Sequence, residues 1–309
     1  MALTEKEQSI IKALSYFDAT SYPLTALELL AWVDFPAKLS ELLWLLDSEN
    51  LKRLITCENG FYCLSGRRKL VWLRQKRHLI SCRKFKRALS VCRWLRRLPF
   101  IRAIAVYSSL SHHNADDQSD ADLFIITAAG RVWSARFFGN LWLRIFRLRP
   151  GENRGDNKIC VSFWADENQL DFDQLKNNSG SQHYLYGTAR FIFVYNQKMG
   201  QKFFSDNRWI KSALPNWQFY RSVARRILPP ENSTLKNILE LIISPLSEAV
   251  LKKLQLKLLA DKIKLLDGAD HRVVLGDSVI KLHHKDRRET VDAAAEATFK
   301  KLTAYVNQA

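Results

Sequence analysis

Two carboxylates that could bind a metal ion stand two residues apart at the start of an apolar run. Asp120 and Asp122 flank an alanine, and the letters LFII follow them at residues 123–126. Residues two apart on a β-strand point to the same side, so both carboxylates are expected to project together. Carboxylates that close repel each other and raise one pKa unless a cation lies between them. Mg²⁺ prefers oxygen ligands, so the pair predicts a site for Mg²⁺ or Mn²⁺, although Asp-x-Asp also begins exposed strands by chance.

The segment before this pair predicts how it is positioned. Residues 101–107 form an apolar run typical of a buried strand, and residues 108–119 form a polar loop. The loop connects that strand to a second strand, which begins at Asp120. We therefore expect the two carboxylates at the edge of a sheet, beside the serines of the loop.

The residues on either side of that loop resemble the signature of the nucleotidyltransferase superfamily. They are VYSSL at residues 106–110 and SDADLFII at residues 119–126. In the superfamily a strand ends in Gly-Ser, a helical turn follows, and the next strand carries Asp-x-Asp. The resemblance implies a small mixed sheet flanked by helices, and transfer of a nucleotidyl group from a nucleoside triphosphate (NTP) with two metal ions. The site residues that it implies are Asp120 and Asp122 as metal ligands and catalytic residues, and Ser108, Ser109 and Ser119 at the triphosphate.

The resemblance extends over most of the chain. The sequence patterns that carry it are SYPLT, FYCLSG, DLFIIT, GRVW, NKICVSFW and DNRWIKSALPN. They are similar to bacterial nucleotidyltransferase-like proteins that have an N-terminal winged helix and a helical C-terminal part. This similarity implies an α+β protein with an N-terminal winged helix, a central nucleotidyltransferase-type mixed sheet flanked by helices, and a mostly helical C-terminal region.

The chain departs from the superfamily pattern at two positions. Ser108 stands where the superfamily has the glycine that lets the backbone approach phosphate closely. The third carboxylate, which the superfamily usually carries on a later strand, is absent from residues 158–164. Asp156 precedes this segment and Asp166 follows it, and we favour Asp156 as a catalytic residue. Two functions stay open: a metal-dependent nucleotidyltransferase with an unknown acceptor, or a catalytically degenerate nucleotide- or RNA-binding regulatory protein.

Cations and histidines near the motif suggest further contacts. Arg131, Arg136 and Lys158 are predicted to bind the triphosphate, and surface charges on a helix that begins near Arg131 are an equal alternative. His112 and His113 lie in the polar loop. Because no other ligands stand near them at metal-binding spacing, we expect an exposed pair and not a metal site.

The first 66 residues have the pattern of a winged helix. Capping boxes at Thr4 and Thr25 begin two helices, Pro36 begins a third, and Asn59-Gly60 between two apolar runs predicts a hairpin. This segment holds five Lys or Arg against nine Asp or Glu, a net charge of −4, which DNA phosphates would repel. We therefore expect a protein-contact or scaffold module and not a transcription factor that reads DNA.

The rest of the chain is strongly basic. The net charge is +17 over 309 residues, and residues 67–102 alone hold 14 Lys or Arg and no acidic residue. A field of this sign attracts polyanions, so RNA or another polyanion is an expected partner beside the NTP. A solvated basic face is the alternative. One long helix is predicted over residues 67–98, because Pro99 ends it.

Composition restricts the class of protein and its compartment. Five cysteines without CxxC spacing fit reduced thiols, no secretion signal is visible at the start, and no apolar run is long enough to cross a bilayer. We therefore expect a cytoplasmic protein without membrane contact. The predicted domains are a winged helix (1–66), a long basic connecting helix (67–98), a nucleotidyltransferase-type domain (99–180), and a mostly helical domain with a small hairpin near 273–282 (181–309).

Overall fold

The chain combines helices with two β-sheets, which confirms the predicted α+β class. The architecture was obtained as a computed structural model. The structure describes residues 2–149, 158–176, 181–219, 223–231, 233–269, 271–283 and 287–308.

Residues 2–66 form a helical module closed by a small antiparallel sheet. Its elements are α1 (Glu5–Ala19), β1 (Leu24–Thr25), α2 (Ala26–Trp32), α3 (Leu39–Leu46), α4 (Glu49–Leu54), β2 (Ile55–Glu58) and β3 (Phe61–Leu64). The strands pair in the order β1-β3-β2. Both predicted capping boxes are present, at Thr4 and Thr25. The predicted hairpin is also present, and its turn residues Asn59 and Gly60 have positive φ angles of 52° and 78°.

One long helix, α5 (Lys69–Leu95), connects this N-terminal module to the large sheet, as predicted. One of its cations, Arg74, contacts the acidic module. Arg74 donates to both carboxylate oxygens of Glu28, at 2.7 and 2.8 Å, and its guanidinium lies over the rings of Tyr22 and Phe61. Part of the positive charge of residues 67–102 is therefore paired with the N-terminal module, and this pairing helps to hold the module against α5.

A mixed sheet of six strands forms the centre of the protein. Its strands are β4 (Ile101–Val106), β5 (Ala121–Thr127), β6 (Ile159–Asp166), β7 (Ile192–Tyr195), β8 (Val273–Leu275) and β9 (Val279–Leu282). Their order is β7-β4-β5-β6-β9-β8, and β5 and β6 are parallel while the other neighbours are antiparallel. The predicted hairpin near 273–282 is present and extends this sheet. Three of the six strands thus come from beyond residue 180.

Strand β7 lies in the region after residue 180, which the sequence predicted to be mostly helical. The run from Phe191 to Tyr195 is apolar at every position, and each of these residues is buried. A short, fully buried run lacks the alternation that distinguishes a strand from a helix, so its periodicity could not decide between them.

Helices cover both faces of the large sheet. They are α6 (Ser108–Ser111), α7 (Val132–Ile145), α8 (Gln182–Ala189), α9 (Gln197–Asp206), α10 (Trp209–Ala213), α11 (Thr234–Ile243), α12 (Glu248–Lys257), α13 (Asp261–Lys264) and α14 (Arg288–Gln308). Leu123 and Ile125 of β5 pack against α5 and α7, whereas Phe124 and Ile126 share a core with the N-terminal module. Within the described ranges, no helix is both long and apolar enough to cross a membrane.

Candidate functional site

The two predicted carboxylates lie at the end of the sheet where β4 ends and β5 begins. The two strands are antiparallel neighbours, and Tyr107 donates its backbone N–H to the carbonyl of Asp122 at 3.1 Å. The turn that begins α6 follows Tyr107 directly. The structure therefore brings Ser108 and Ser109 beside Asp120 and Asp122, which we call the acid pair.

Ser108 has the backbone conformation of a glycine. Its φ angle is +62°, in the left-handed region, and its side chain is exposed. The hydroxyl of Ser111 donates to its carbonyl at 2.8 Å and helps to fix the turn. An L-residue in this region costs about 1–2 kcal/mol. Ser108 thus has a backbone conformation that glycine adopts without strain, and serine adopts it at the cost of local strain.

The loop that leads into Asp120 is held by a lysine of α5. Lys84 is only 4% exposed, and its ammonium group donates to the carbonyls of Asp117 and Ser119, both at 2.8 Å. The hydroxyl of Ser119 donates to the Asp116 carboxylate at 2.6 Å and accepts the Asp116 N–H. The structure gives Ser119 a role in shaping this loop, while its contact with a triphosphate stays a prediction.

Strand β6 places a cysteine, and no acid, directly beside the acid pair. Cys160 is the strand partner of Asp122. Burial, and then the charge of Asp122, raise the pKa of the Cys160 thiol to about 12. The thiol is therefore protonated at neutral pH, and a protonated sulfur is a poor ligand for a hard cation such as Mg²⁺.

Asp156 and Asp166 were the two candidates for the third carboxylate, and the structure describes only the second. Asp156 lies outside the described residues. Asp166 ends β6, six residues after Cys160, so roughly 20 Å of strand separates the two. Its carboxylate accepts the N–H groups of Asn168 and Gly130 at that far end. Asp166 therefore shapes a loop and does not join the acid pair.

A chain of polar side chains extends from the acid pair along the same face of the sheet. Cys160 hydrogen-bonds to Asp122 and Ser162. The Tyr107 hydroxyl lies 2.9 Å from Ser162 Oγ and 2.7 Å from His283 Nε2. The sequence analysis missed these neighbours, because only the parallel pairing of β5 with β6 and the bulge in it bring them together.

Two of the predicted triphosphate cations lie elsewhere. Arg131 follows the opposite end of β5, roughly 20 Å from the acid pair, and donates to Ser244 Oγ at 2.9 Å. Arg136 is buried in α7 and donates to Gln255 at 2.6 Å, and burial lowers its pKa to about 10. These positions argue against a triphosphate contact by either side chain.

Lys158 lies at the same end of the sheet as the acid pair. Its carbonyl accepts the Ala121 N–H at 2.9 Å, and its ammonium group donates to the carbonyl of Arg147 at 3.1 Å. Together with Lys84 and Arg87 of α5, it lines a shallow depression next to Ala121. Arg87 is exposed, and the sequence analysis did not predict it as a site residue. Only the packing of α5 against β5 brings it to this end of the sheet.

The adjacent histidines are not the exposed pair that the sequence predicted. The ring of His112 packs near Phe17 and Trp32, and burial lowers its pKa well below the ordinary value. Burial, and then the charge of Arg226, lower the pKa of His113 to about 3. Both are half-buried and neutral at physiological pH, because α6 places the loop between the N-terminal module and α5.

The acid pair fits a single hard cation. Asp120 and Asp122 are the residues that would hold such an ion, since Mg²⁺ is usually bound by one or two carboxylates together with phosphate oxygens. Across the described ranges, no third acidic, histidine or cysteine ligand completes a compact group with them. The acid pair would therefore supply only part of the coordination shell of such an ion.

Comparisons with known proteins found no matching family model, no matching curated protein and no matching solved structure. The superfamily resemblance therefore rests on the sequence motif.

Proposed function

We propose that this protein binds an NTP with Mg²⁺ or Mn²⁺ at the acid pair and transfers its nucleotidyl group to an acceptor. The observation that carries this proposal is the left-handed turn at Ser108 next to Asp120 and Asp122, held by the hydrogen bond from Tyr107 to Asp122. The turn holds the loop backbone beside two carboxylates, which could bind the counterion of a phosphate group.

The metal ion would neutralise charge on the phosphates and lower the pKa of the attacking hydroxyl. The chain itself contributes orientation and charge. Lys84 fixes the loop before Asp120, and Arg87 and Lys158 put positive charge at the same edge of the sheet. The net charge of +17 supports an anionic acceptor, of which RNA is the foremost candidate.

The N-terminal module acts as a scaffold in this proposal, in the manner of a winged helix that contacts protein. Its core is continuous with one face of the large sheet, and its acidic residues Glu28 and Asp18 pair with Arg74 of α5 and with Arg67, which precedes α5. We place the protein in the cytoplasm, since NTPs are found there and all five cysteines are free.

A second function is favoured by one observation, the protonated thiol of Cys160 beside Asp122. With sulfur in place of a third carboxylate, the domain would hold the metal–nucleotide complex weakly and in a less defined geometry. The protein would then be a catalytically degenerate nucleotide- or RNA-binding regulator.

Labelled nucleotides test the first function. The full-length protein is incubated with each α-labelled NTP, Mg²⁺ or Mn²⁺, and total cellular RNA and protein. We expect label transfer that is lost in Asp120→Asn/Asp122→Asn and kept in Asp117→Asn, an exposed acid of the same loop. Transfer that survives loss of the acid pair would refute the assignment of the site.

Substitution of Cys160 separates the two functions. Cys160→Asp should tighten Mg²⁺-dependent NTP binding by roughly tenfold, because a third carboxylate joins the pair, whereas Cys160→Ser should not. Transfer by the wild type supports the enzyme. NTP binding without transfer, together with a gain in Cys160→Asp, supports the degenerate binder. Absence of NTP binding in all three proteins would refute the transferase and the nucleotide-binding regulator, and would leave only the RNA-binding form of the second function.

A further inference from the structure

Three side chains that commonly bind soft metal ions meet where α5 contacts the loop after α6. His78 and Cys82 are four residues apart on α5, so they lie on one side of the helix. His113 approaches them from the loop. In the described part of the chain, these three form the only group of His, Cys, Asp or Glu ligands whose donor atoms all lie within 4.8 Å of one another. We call this group the His-Cys-His cluster, and it shares no residue with the acid pair.

The spacing of the cluster fits tetrahedral coordination. Cys82 Sγ is 3.5 Å from His78 Nε2, and the ring centroids of His78 and His113 are 5.3 Å apart. With Zn–S near 2.3 Å and Zn–N near 2.0–2.1 Å, neighbouring ligand atoms of a tetrahedral site are about 3.4–3.6 Å apart. Cys82 and His78 already have this separation. The remaining distances between ligand atoms are at most 4.8 Å and need to close by about 1.4 Å at most, which side-chain rotation supplies.

His113 also has a ring nitrogen that lacks a hydrogen bond. Its Nδ1 atom is buried and has no hydrogen-bond partner among the described residues, whereas Arg226 Nη1 lies 3.1 Å from its Nε2 and donates to it. Buried polar atoms are nearly always satisfied, so an unpartnered nitrogen on a ring that belongs to this cluster indicates a missing partner.

We propose that His78, Cys82 and His113 bind one Zn²⁺ ion, with water at the fourth position. Thiolate and imidazole ligands suit zinc and not Mg²⁺, so the cluster and the acid pair select different ions. The Cys82 proton goes to solvent on binding.

The cluster also implies a competition between the ion and an arginine. While Nε2 of His113 accepts a hydrogen bond from Arg226, the proton of the neutral ring is on Nδ1. Ligation through Nδ1 moves this proton to Nε2, which then has nothing to accept from Arg226. Ligation through Nε2 displaces Arg226 directly. In both cases the guanidinium leaves the imidazole. The ion would then join α5 to the loop that ends at Asp120.

Cobalt titration of the full-length protein tests this site, because Co²⁺ bound to thiolate gives a near-ultraviolet charge-transfer band and tetrahedral Co²⁺ gives intense visible bands. Zn²⁺ affinity is then measured by competition. We expect one Co²⁺ per chain, loss of the charge-transfer band in Cys82→Ser, and binding weakened by roughly tenfold or more in His78→Asn. Both residues are at least partly exposed, so these variants should fold.

Two further variants distinguish the cluster from other groups that could bind cobalt, and a third tests the competition with Arg226. Cys57→Ser removes an exposed thiol of β2, and Asp120→Asn/Asp122→Asn removes the acid pair, so both should keep the charge-transfer band. Arg226→Met should bind Zn²⁺ roughly tenfold more tightly, because a competing positive charge is gone. Absence of the band in the wild type, or its persistence in Cys82→Ser, would overturn the site. Unchanged affinity in Arg226→Met would overturn the competition.

Discussion

Replacement of Lys84 by methionine tests how the loop before the acid pair is held in place. Lys84 is buried in α5, and its ammonium group binds the carbonyls of Asp117 and Ser119. Methionine keeps much of the length and the apolar stem of lysine but removes both hydrogen bonds. We therefore expect Lys84→Met to destabilise the protein and to weaken Mg²⁺-dependent NTP binding, since the loop ends at Asp120.

The size of the effect follows from the two contacts. Hydrogen bonds that involve a charged group contribute about 1.5–3 kcal/mol each, so the pair sets an upper range of about 3–6 kcal/mol. Asp117 is exposed and Ser119 is half-buried, so water can replace part of what the lysine supplies. Methionine also avoids the cost of burying a charge. We expect a net loss of about 2 kcal/mol in the free energy of unfolding.

Urea denaturation followed by circular dichroism measures this loss. With a slope of roughly 3 kcal/mol/M, the unfolding midpoint of Lys84→Met should fall by about 0.7 M. Lys86→Met is the matched control, because Lys86 lies on the same helix but is exposed, and its midpoint should move by less than about 0.2 M. Equal midpoints for the two variants would show that the buried ammonium does not hold the loop.

Three other substitutions give results of predictable sign. Ser108→Gly should stabilise the protein by about 0.5–1 kcal/mol in urea titrations, because relief of left-handed strain exceeds the added backbone entropy of unfolded glycine; a lower midpoint would contradict this. Gly139→Ala should cost about 1–3 kcal/mol in thermal unfolding, since the new Cβ would lie 2.7 Å from the buried ring of Trp164. Burial opposes ionisation of Glu28, but hydrogen bonds and charge from Arg74 outweigh it, so its pKa lies below the ordinary value of 4.5. The stabilisation from ionised Glu28 is complete above pH 4.5 and is lost as the pH falls through the lower folded pKa. The difference in free energy of unfolding between the wild type and Glu28→Gln, measured in urea at several pH values, should therefore persist at neutral pH and narrow on acidification.

The local parts of the fold could be predicted because their signals lie within a few residues of each other. The capping boxes at Thr4 and Thr25 and the turn at Asn59-Gly60 each depend on side chains up to three positions away, and all three are present. The long helix α5 was predicted for the same reason. Strand β7 was not predicted, because a short apolar run has the same pattern in a buried strand and in a buried helix.

In the candidate site, too, the sequence predicted what depends on neighbouring residues and missed what depends on distant ones. The expectation that Asp120 and Asp122 point to the same side follows from strand geometry alone and needs no knowledge of the tertiary fold. The position of Cys160 beside Asp122 depends on which strands become neighbours and on the register between them. The polar loop also gave no indication that His113 would lie against α5, since that contact joins residues more than 30 positions apart.

The strand order has a consequence for how the chain folds during synthesis. Strand β6 pairs on one side with β5 and on the other with β9, which begins more than 100 residues after β6 ends. At about 5–20 residues per second, a ribosome needs roughly 6 to 23 s to make the intervening segment. During that time one edge of β6 has exposed backbone donors and acceptors, which can pair with another nascent chain. The late arrival of β9 therefore makes this edge the point where misassembly competes most directly with folding.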